Sequence, residues 1–110
     1  MAIEVKVRIE TLRSLAFGSI GAAYMGVGTA ISHPARMVLI QNLTDQNVLF
    51  SIDGVNDHFP MSAYSALVLD VATNKTITDG FFFEKGTRFY VKQTTGAASS
   101  GAVYIEIIRS

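Results

Sequence analysis

The chain has 110 residues, of which 49% are hydrophobic and 16% are charged, and its formal net charge is zero. This length suits one domain with one core, and the charged share lies below the usual quarter or so. Scattered basic residues and zero net charge argue against nucleic-acid binding. The absence of Cys excludes disulfides and zinc–thiolate sites. The low charge predicts that other subunits cover part of the surface; the alternative is a neutral surface of Thr, Ser and Asn.

The first element is the segment Ile3–Ile9, IEVKVRI, in which apolar and charged residues alternate without a break. A period of two is typical of a β-strand with one buried face, because successive side chains point to opposite sides. No helical period of comparable quality follows it in the sequence. The pattern therefore predicts an all-β protein.

Further short strands follow, each bounded by residues that favour turns, among them Pro34, Gly54 and the loop Thr94–Gly101. About eight short strands with regular turns predict a single antiparallel β-sandwich over residues 1–110. The strand pattern fits jelly-roll and immunoglobulin-like connections equally. The last two strands are expected to form a hairpin. The predicted strands after the first are 22–27, 37–41, 48–53, 66–71, 80–83, 87–93 and 102–109.

Residues 14–35 contain no Asp, Glu, Lys or Arg and are rich in Gly and Ala. The four glycines within residues 15–31 lower the hydropathy below that of a membrane span. Glu4 and Glu10 are also unlike the basic start of a signal peptide, so we expect no membrane insertion. A solvated loop of this composition would be unusual. The segment is expected either to lie in subunit contacts or to form a buried strand and a loop across the sandwich end.

Several strands are apolar on both faces, including Met37–Ile40, Val48–Phe50, Ala66–Leu69 and Phe81–Phe83. Only one face of a strand meets the core of a two-layer sandwich. The other face, for example at Phe82 if its neighbours point inward, is either covered by the same chain or available to a partner. The predicted partner interface comprises Leu15, Phe17, Ile20, Tyr24, Met25, Val27 and Phe82.

The stretch Asn42–Phe59, NLTDQNVLFSIDGVNDHF, contains three Asp and three Asn and must be tested as a metal site. Calcium loops place their acidic oxygens at alternate positions of one continuous loop. Here an apolar run separates Asp45 from Asp53, which favours two turns that flank one strand. The alternative is a local calcium site at Asp53, Asn56 and Asp57. We predict turns, and no metal or cofactor.

The two histidines, His33 and His58, have neither a thiol nor a spacing that indicates a transition-metal site. The run FGSIG lacks the strand-to-helix context of a nucleophile elbow, and Gly26–Gly28 lacks the βαβ unit of a dinucleotide site. We therefore expect no catalytic residue and no enzyme. A small hydrolase that uses one of the two histidines is the remote alternative.

Six stretches of the sequence resemble small virion proteins of tailed bacteriophages. They are FGSIGAAY, GVGTAI, RMVLIQNLTDQNVLFSIDG, LVLDVATNK, FFFEKGTRFYVK and ASSGAVYIEI, which cover most of the chain from Phe17 onward. These are strand and turn patterns and carry no catalytic signature. The proteins that they resemble are jelly-roll-like β-sandwiches that decorate or staple the capsid.

The resemblance implies a structural role on the virion. A decoration protein of this kind is made in the host cytoplasm, binds the outside of the head, and bridges major capsid protein subunits against the pressure of packaged DNA. A dimer or trimer on a symmetry axis would be expected. The alternative is a receptor- or glycan-binding module of a tail or head fibre, with Tyr64, Tyr90 and Tyr104 as stacking residues.

Overall fold

The computed structural model describes residues 8–70, 83–94 and 96–109, and this part of the chain contains nine β-strands and one short 3₁₀ turn. In the described residues no helix is long and apolar enough to cross a membrane. The 3₁₀ turn spans Phe17–Ser19. The strands are β1 (Arg8–Ile9), β2 (Arg13–Ala16), β3 (Met25–Gly26), β4 (Met37–Asn42), β5 (Val48–Ser51), β6 (Phe59–Met61), β7 (Ser65–Asp70), β8 (Tyr90–Gln93) and β9 (Ala102–Arg109).

The strands form two antiparallel sheets. The first sheet has the order β1–β9–β4–β7, and β2 continues the edge of β1 by pairing with β9. The second sheet has the order β3–β8–β5–β6. The core lies between these two layers, so the prediction of an all-β antiparallel sandwich is confirmed.

The strand pairings are nested, and nesting distinguishes the two connectivities that the sequence left open. β1 and β2 pair with the last strand, β3 with β8, β4 with β7, and β5 with β6. The chain is thus one long antiparallel ribbon, folded back at the β5–β6 turn and rolled into two layers. This arrangement is that of a jelly roll.

The expected hairpin between the last two strands is wrong. β8 lies in the second sheet between β3 and β5, whereas β9 lies in the first sheet between the β1–β2 edge and β4. The connecting loop Thr94–Gly101 is long enough to cross the distance of about 10 Å that separates packed sheets. The two strands are adjacent in sequence, which favoured the prediction of a hairpin. In the structure each strand instead lies in the interior of its own sheet.

Alternating side chains of both sheets fill the core. In the first sheet, Val38 and Ile40 of β4 are fully buried beside Val103, Ile105 and Ile107 of β9. Burial of each such side chain contributes roughly 1.5–3 kcal/mol. From the second sheet and the connecting segments come Val48, Phe50, Met61, Phe89, Val91, Ile20, Val27, Ile31 and Ala35.

Most predicted strands exist, with different ends. The predicted strand 102–109 coincides with β9, whereas only Met25–Gly26 of 22–27 and Tyr90–Gln93 of 87–93 are paired in ladders. Phe83 makes an isolated bridge to Ala35. Residues 3–7, 71 and 80–82 of the predicted strands lie outside the described residues.

Two strands, β2 and β6, were not predicted from the sequence. β6 contains Pro60, which cannot donate to a ladder and reads as a turn signal. Because β6 is an edge strand, bonded on one side only to β5, Pro60 is tolerated there. β2 begins at Arg13 and continues into the neutral segment, residues 14–35, where the small residues Ser14 and Ala16 beside Leu15 give only a weak alternation.

Candidate partner interface

The outer face of the first sheet is formed by the side chains that alternate with the core residues. Leu39 of β4 lies opposite Val68 of β7 and Glu106 of β9 in register. One row away, Met37 lies opposite Ile108, which also pairs with Ile9. The whole outer face comprises Ile9, Ser14, Ala16, Met37, Leu39, Gln41, Ala66, Val68, Asp70, Ala102, Tyr104, Glu106 and Ile108.

This outer face is mostly apolar, although its edge positions are open to solvent. Ile9 is 70% exposed and Val68 is 56% exposed. The charged residues among these positions are Glu106 and Asp70, both acidic. An antiparallel sheet that faces water normally carries polar side chains on that side. The central part of a protein–protein interface, by contrast, is depleted of charge. The outer face of the first sheet therefore has the composition of a covered surface.

The prediction that Met37–Ile40 and Ala66–Leu69 are apolar on both faces is confirmed. The structure places these two strands side by side, so their outward apolar residues form one continuous surface rather than two separate stripes. The sequence alone did not identify this surface, because the pairing of β4 with β7 brings together residues that are about thirty positions apart.

The predicted partner interface requires a correction at two residues. Val27 is fully buried and Ile20 is 6% exposed, and both belong to the core of their own chain. Leu15 is half-buried and packs against the same core. These side chains stabilise the sandwich and are not available to a neighbour, because their apolar surface is already removed from water. Phe82 lies outside the described residues.

Two other residues of the predicted interface are exposed and one is engaged within the chain. Phe17, in the 3₁₀ turn, is 38% exposed, and Met25, on the edge strand β3, is 49% exposed. Tyr24 is half-buried and donates a hydrogen bond to Asp57. The neutral segment is therefore divided between the core, the surface and an internal contact, so only part of it is available to a partner.

The outer face of the second sheet carries aromatic and charged residues that contact one another. The Lys92 ammonium lies 4.7 Å from the centroid of the Tyr24 ring and 3.2 Å from Asp57 Oδ1. The Arg88 guanidinium lies 5.6 Å from the centroid of the Tyr90 ring. Burial and the Asp57 carboxylate raise the pKa of Tyr24, and the hydrogen bond from Tyr24 lowers the pKa of Asp57. The charged side chains Lys92, Asp57 and Arg88 on this face therefore all have partners within their own chain.

Asp53 organises the turn between β5 and β6. Its Oδ1 accepts hydrogen bonds from the backbone N–H groups of Val55 and Asn56, both at 2.8 Å, and from Ser51 Oγ at 2.8 Å. Its Oδ2 accepts a bond from Asn56 Nδ2. These donors, led by the Asn56 backbone, lower the pKa of Asp53. The prediction of turn chemistry at Asp53 is confirmed.

Asp45 and Asn42 connect loops that are distant in sequence. Asp45 accepts bonds from the backbone N–H and the hydroxyl of Ser99 in the β8–β9 loop, and the hydroxyl bond in particular lowers the pKa of Asp45. Asn42 is fully buried; its Nδ2 donates to the carbonyls of Gln46 and Ser62, and its Oδ1 accepts from Thr44. In the described part of the chain, no group of three His, Asp or Glu side chains is positioned to hold a metal.

The histidines lie in local hydrogen bonds. His58 Nδ1 accepts a bond from the backbone N–H of Ile52 at 3.1 Å, and His33 contacts Ser32 at 3.0 Å. Ser51, His58 and Asp53 are close together, but Asp53 bonds the serine rather than the histidine. Ser51 is also fully buried. This geometry differs from a Ser-His-Asp triad, in which the histidine lies between an accessible serine and the aspartate.

No family model, curated protein or solved structure matches the chain. The fold and the surfaces described above define a jelly-roll sandwich with one apolar outer face.

Proposed function

We propose that the protein is a structural subunit of a phage virion that binds the outside of the head and bridges major capsid protein subunits. The observation that carries the proposal is the outer face of the first sheet, which is mostly apolar and has no basic residue among its described outward positions. The resemblance of the strand and turn motifs to capsid decoration proteins supplies the identity of the partner.

The dimensions of this face indicate how strongly one subunit binds. Three to four strands about 4.8 Å apart and six residues long at about 3.3 Å each cover roughly 300–400 Å². A standard interface buries about 800 Å² per partner. One face is therefore smaller than a standard interface. Stable binding to the head would need contacts from the residues around this face, or many symmetric repeats of the same contact.

Co-sedimentation with expanded phage heads that lack the protein tests this proposal. Saturable pelleting at a fixed ratio to the major capsid protein is expected, with weak salt dependence because the contact is apolar. Failure to pellet with well-formed expanded heads would overturn the decoration role.

Matched valine substitutions locate the contact. Val68→Glu places a charge on the outer face of the first sheet, whereas Val55→Glu places it in the β5–β6 turn, where Val55 is 78% exposed. Val68→Glu should abolish pelleting and Val55→Glu should not. Met25→Lys tests the neutral segment: loss of binding in this variant alone would place the contact there instead.

The alternative, a glycan-binding module, would need its tyrosines to form one stacking site. Tyr64 lies in the turn before β7 and is 67% exposed, Tyr90 lies on the second sheet, and Tyr104 lies on the first sheet. The Tyr90 ring is contacted by Arg88 and approached by Gly54. These three residues do not share a face, so the decoration role is the better-supported proposal.

A further inference from the structure

A polar groove lies where the edge of the first sheet is interrupted between β1 and β2. Both strands pair with β9, and of the three residues between them Glu10 still donates its backbone N–H to the Ile107 carbonyl at 3.0 Å, while Thr11 and Leu12 lie outside the named strands. The groove has a volume of about 640 Å³, within the range of ligand sites. Its lining residues are Ile9, Glu10, Thr11, Leu12, Arg13, Ser14, Gly28, Thr29, Ser32 and Arg109.

Glu10 lies between two arginines in the groove. Its Oε1 accepts a bond from Arg13 Nη2 at 2.8 Å, and its Oε2 accepts a bond from Arg109 Nε at 3.0 Å. Glu10 and Arg13 side chains are each only 9% exposed. Arg13 is further held by the carbonyls of Thr29 and Ala30. The arginines are therefore fixed in position by the fold.

Arg109 retains hydrogen-bonding capacity. Within the described residues only its Nε has an acceptor, so the four N–H donors on Nη1 and Nη2 have none. Arg8 lies directly opposite Arg109 in the β1–β9 register. Like charges in such cross-strand positions repel. Among the described residues that line the groove, two guanidiniums and one carboxylate leave an excess of one positive charge, and Arg8 adds another opposite Arg109.

We propose that the groove binds a carboxylate of an acidic peptide segment from a partner protein, as a bidentate pair with the guanidinium of Arg109. A guanidinium fork matches a planar carboxylate. The exposed apolar side chains beside it, Ile9 and Leu12, are 70% and 49% exposed and fit apolar residues that flank the acidic one. The inference does not depend on the proposed virion role.

The composition of the groove favours a peptide over other oxyanion ligands. A nucleic-acid backbone needs a stripe of basic residues to follow successive phosphates, whereas the described arginines here, Arg8, Arg13 and Arg109, lie beside one interruption of the sheet edge. A saccharide site usually offers an aromatic platform, and the described residues that line this groove include no aromatic side chain. A short acidic-apolar segment uses both the charge and the apolar walls.

Side-chain NMR of the full chain with the peptide acetyl-Leu-Glu-Leu-amide tests this proposal. Saturable shifts are expected at the Arg109 Nε–H signal and at the Ser14 and Thr29 amides. Acetyl-Leu-Gln-Leu-amide, the isosteric neutral peptide, should bind at least about tenfold more weakly because it cannot form the charged bidentate pair. Inorganic phosphate at the same concentration provides the second comparison.

Two variants make the test specific. Arg109→Gln should raise the Kd for the acidic peptide about tenfold or more. Lys85→Gln removes one positive charge from an exposed turn elsewhere and should leave the Kd unchanged. Retained amide dispersion in both spectra shows that each variant is folded. Should Arg109→Gln unfold the chain, Arg109→Lys, which keeps the charge but loses the fork, is expected to weaken binding several-fold.

Three results would overturn the inference. Equal binding of the Glu and Gln peptides would show that the carboxylate is not recognised. Tighter binding of phosphate at the same residues would make the ligand a phosphate rather than a peptide. Shifts of similar size at all arginines, or none at Arg109, would show that the groove is not the site.

Discussion

The two outer faces of this sandwich differ in how their side chains are satisfied. On the second sheet, Lys92 and Arg88 lie over tyrosine rings, and Asp57 accepts a bond from Tyr24. On the first sheet, Leu39 and Val68 face outward opposite each other on a mostly apolar face, with Glu106 as the charged neighbour of Leu39. On the second sheet these polar side chains have partners within the chain, whereas on the first sheet apolar side chains such as Val68 are exposed to water. Similar strands can therefore form a surface whose side chains contact one another or a surface with exposed apolar side chains, depending only on their outward residues.

Loss of the buried side-chain amide of Asn42 should have the greatest effect on stability. Asn42 ends β4 of the first sheet, and its amide bonds the Ser62 carbonyl just after β6 of the second sheet. Asn42→Ala removes the acceptor of the buried Thr44 N–H and one donor from each of the carbonyls of Gln46 and Ser62, which keep the bonds from the hydroxyls of Thr44 and Ser65. We expect the free energy of unfolding to fall by roughly 2–4 kcal/mol, since buried polar groups lose their bonds. Urea denaturation measures this change.

Asn47→Ala is the matched control for this prediction. Asn47 is exposed and its side chain accepts one bond, from the backbone of Ala63 at 3.1 Å. Its loss should cost clearly less. Equal effects of the two variants would show that the burial of Asn42 contributes nothing to stability.

The next effect concerns association of the chain with itself through the apolar face. If the exposed apolar side chains on the outer face of the first sheet drive association, the purified protein should form dimers or larger species as its concentration rises. Val68→Glu should shift this equilibrium at least about tenfold towards the monomer, because burial of the new charge is costly. Sedimentation velocity over a hundredfold range of concentration measures the shift.

Val55→Glu distinguishes the face from a general effect of charge. This variant adds the same charge at another exposed valine, so it should associate like the parent. Similar dissociation in both variants would mean that net charge, and not the outer face of the first sheet, controls association.

The acid sensitivity of the fold should come from the loops and the second sheet. Hydrogen bonds lower the pKa values of Asp53, Asp57 and Asp45 in the folded chain. A lowered folded-state pKa adds stability at pH values above the unfolded value of about 3.9, and this contribution is lost as the pH falls through the folded value. The melting temperature should therefore fall progressively below about pH 4.

Asp53→Asn and Asp57→Asn test the origin of this acid sensitivity. Each variant lacks one titrating carboxylate, so its melting temperature should depend less on pH between about 4 and 2 than that of the parent. An unchanged pH profile in both variants would assign the acid sensitivity to other groups.

The smallest expected effect is that of Tyr24→Phe on the second sheet. This variant removes the hydroxyl that bonds Asp57 but keeps the ring beneath Lys92. The melting temperature should fall by a few degrees at most, because the contact is solvent-exposed, and the pKa of Asp57 should rise towards its usual value. NMR titration of the Asp57 carboxyl carbon measures the pKa. A pKa that is unchanged in the variant would contradict the role assigned to Tyr24.

Much of the first sheet could be predicted from the sequence, whereas the groove could not. The strand 102–109 was predicted with both of its ends; apolar residues recur in its sequence at Val103, Ile105 and Ile107, and the structure buries these side chains. Arg13 and Arg109, by contrast, are far apart in the chain and meet through the shared carboxylate of Glu10. No local pattern indicates such a meeting, since it depends on which strand β9 pairs with.

The same distinction explains the correction at Ile20 and Val27. Their neutral neighbours suggested a surface that a partner covers, but the side chains point into the core of their own chain. A run without charged residues shows that water is avoided; it does not show which apolar partner replaces the water. A segment that is buried against its own chain and a segment that is buried against another subunit have the same amino-acid composition.

Local alternation and turn residues thus determined that this chain is an all-β protein, because the period of two and the φ preferences of Gly, Asn and Asp act within a few residues. The tertiary structure decided the nested jelly-roll pairing, the division between core and surface, and the continuity of the apolar face. These features depend on contacts between strands that are distant in sequence. The free energy of such contacts depends on which side chains of the other strands and of the facing sheet each face packs against.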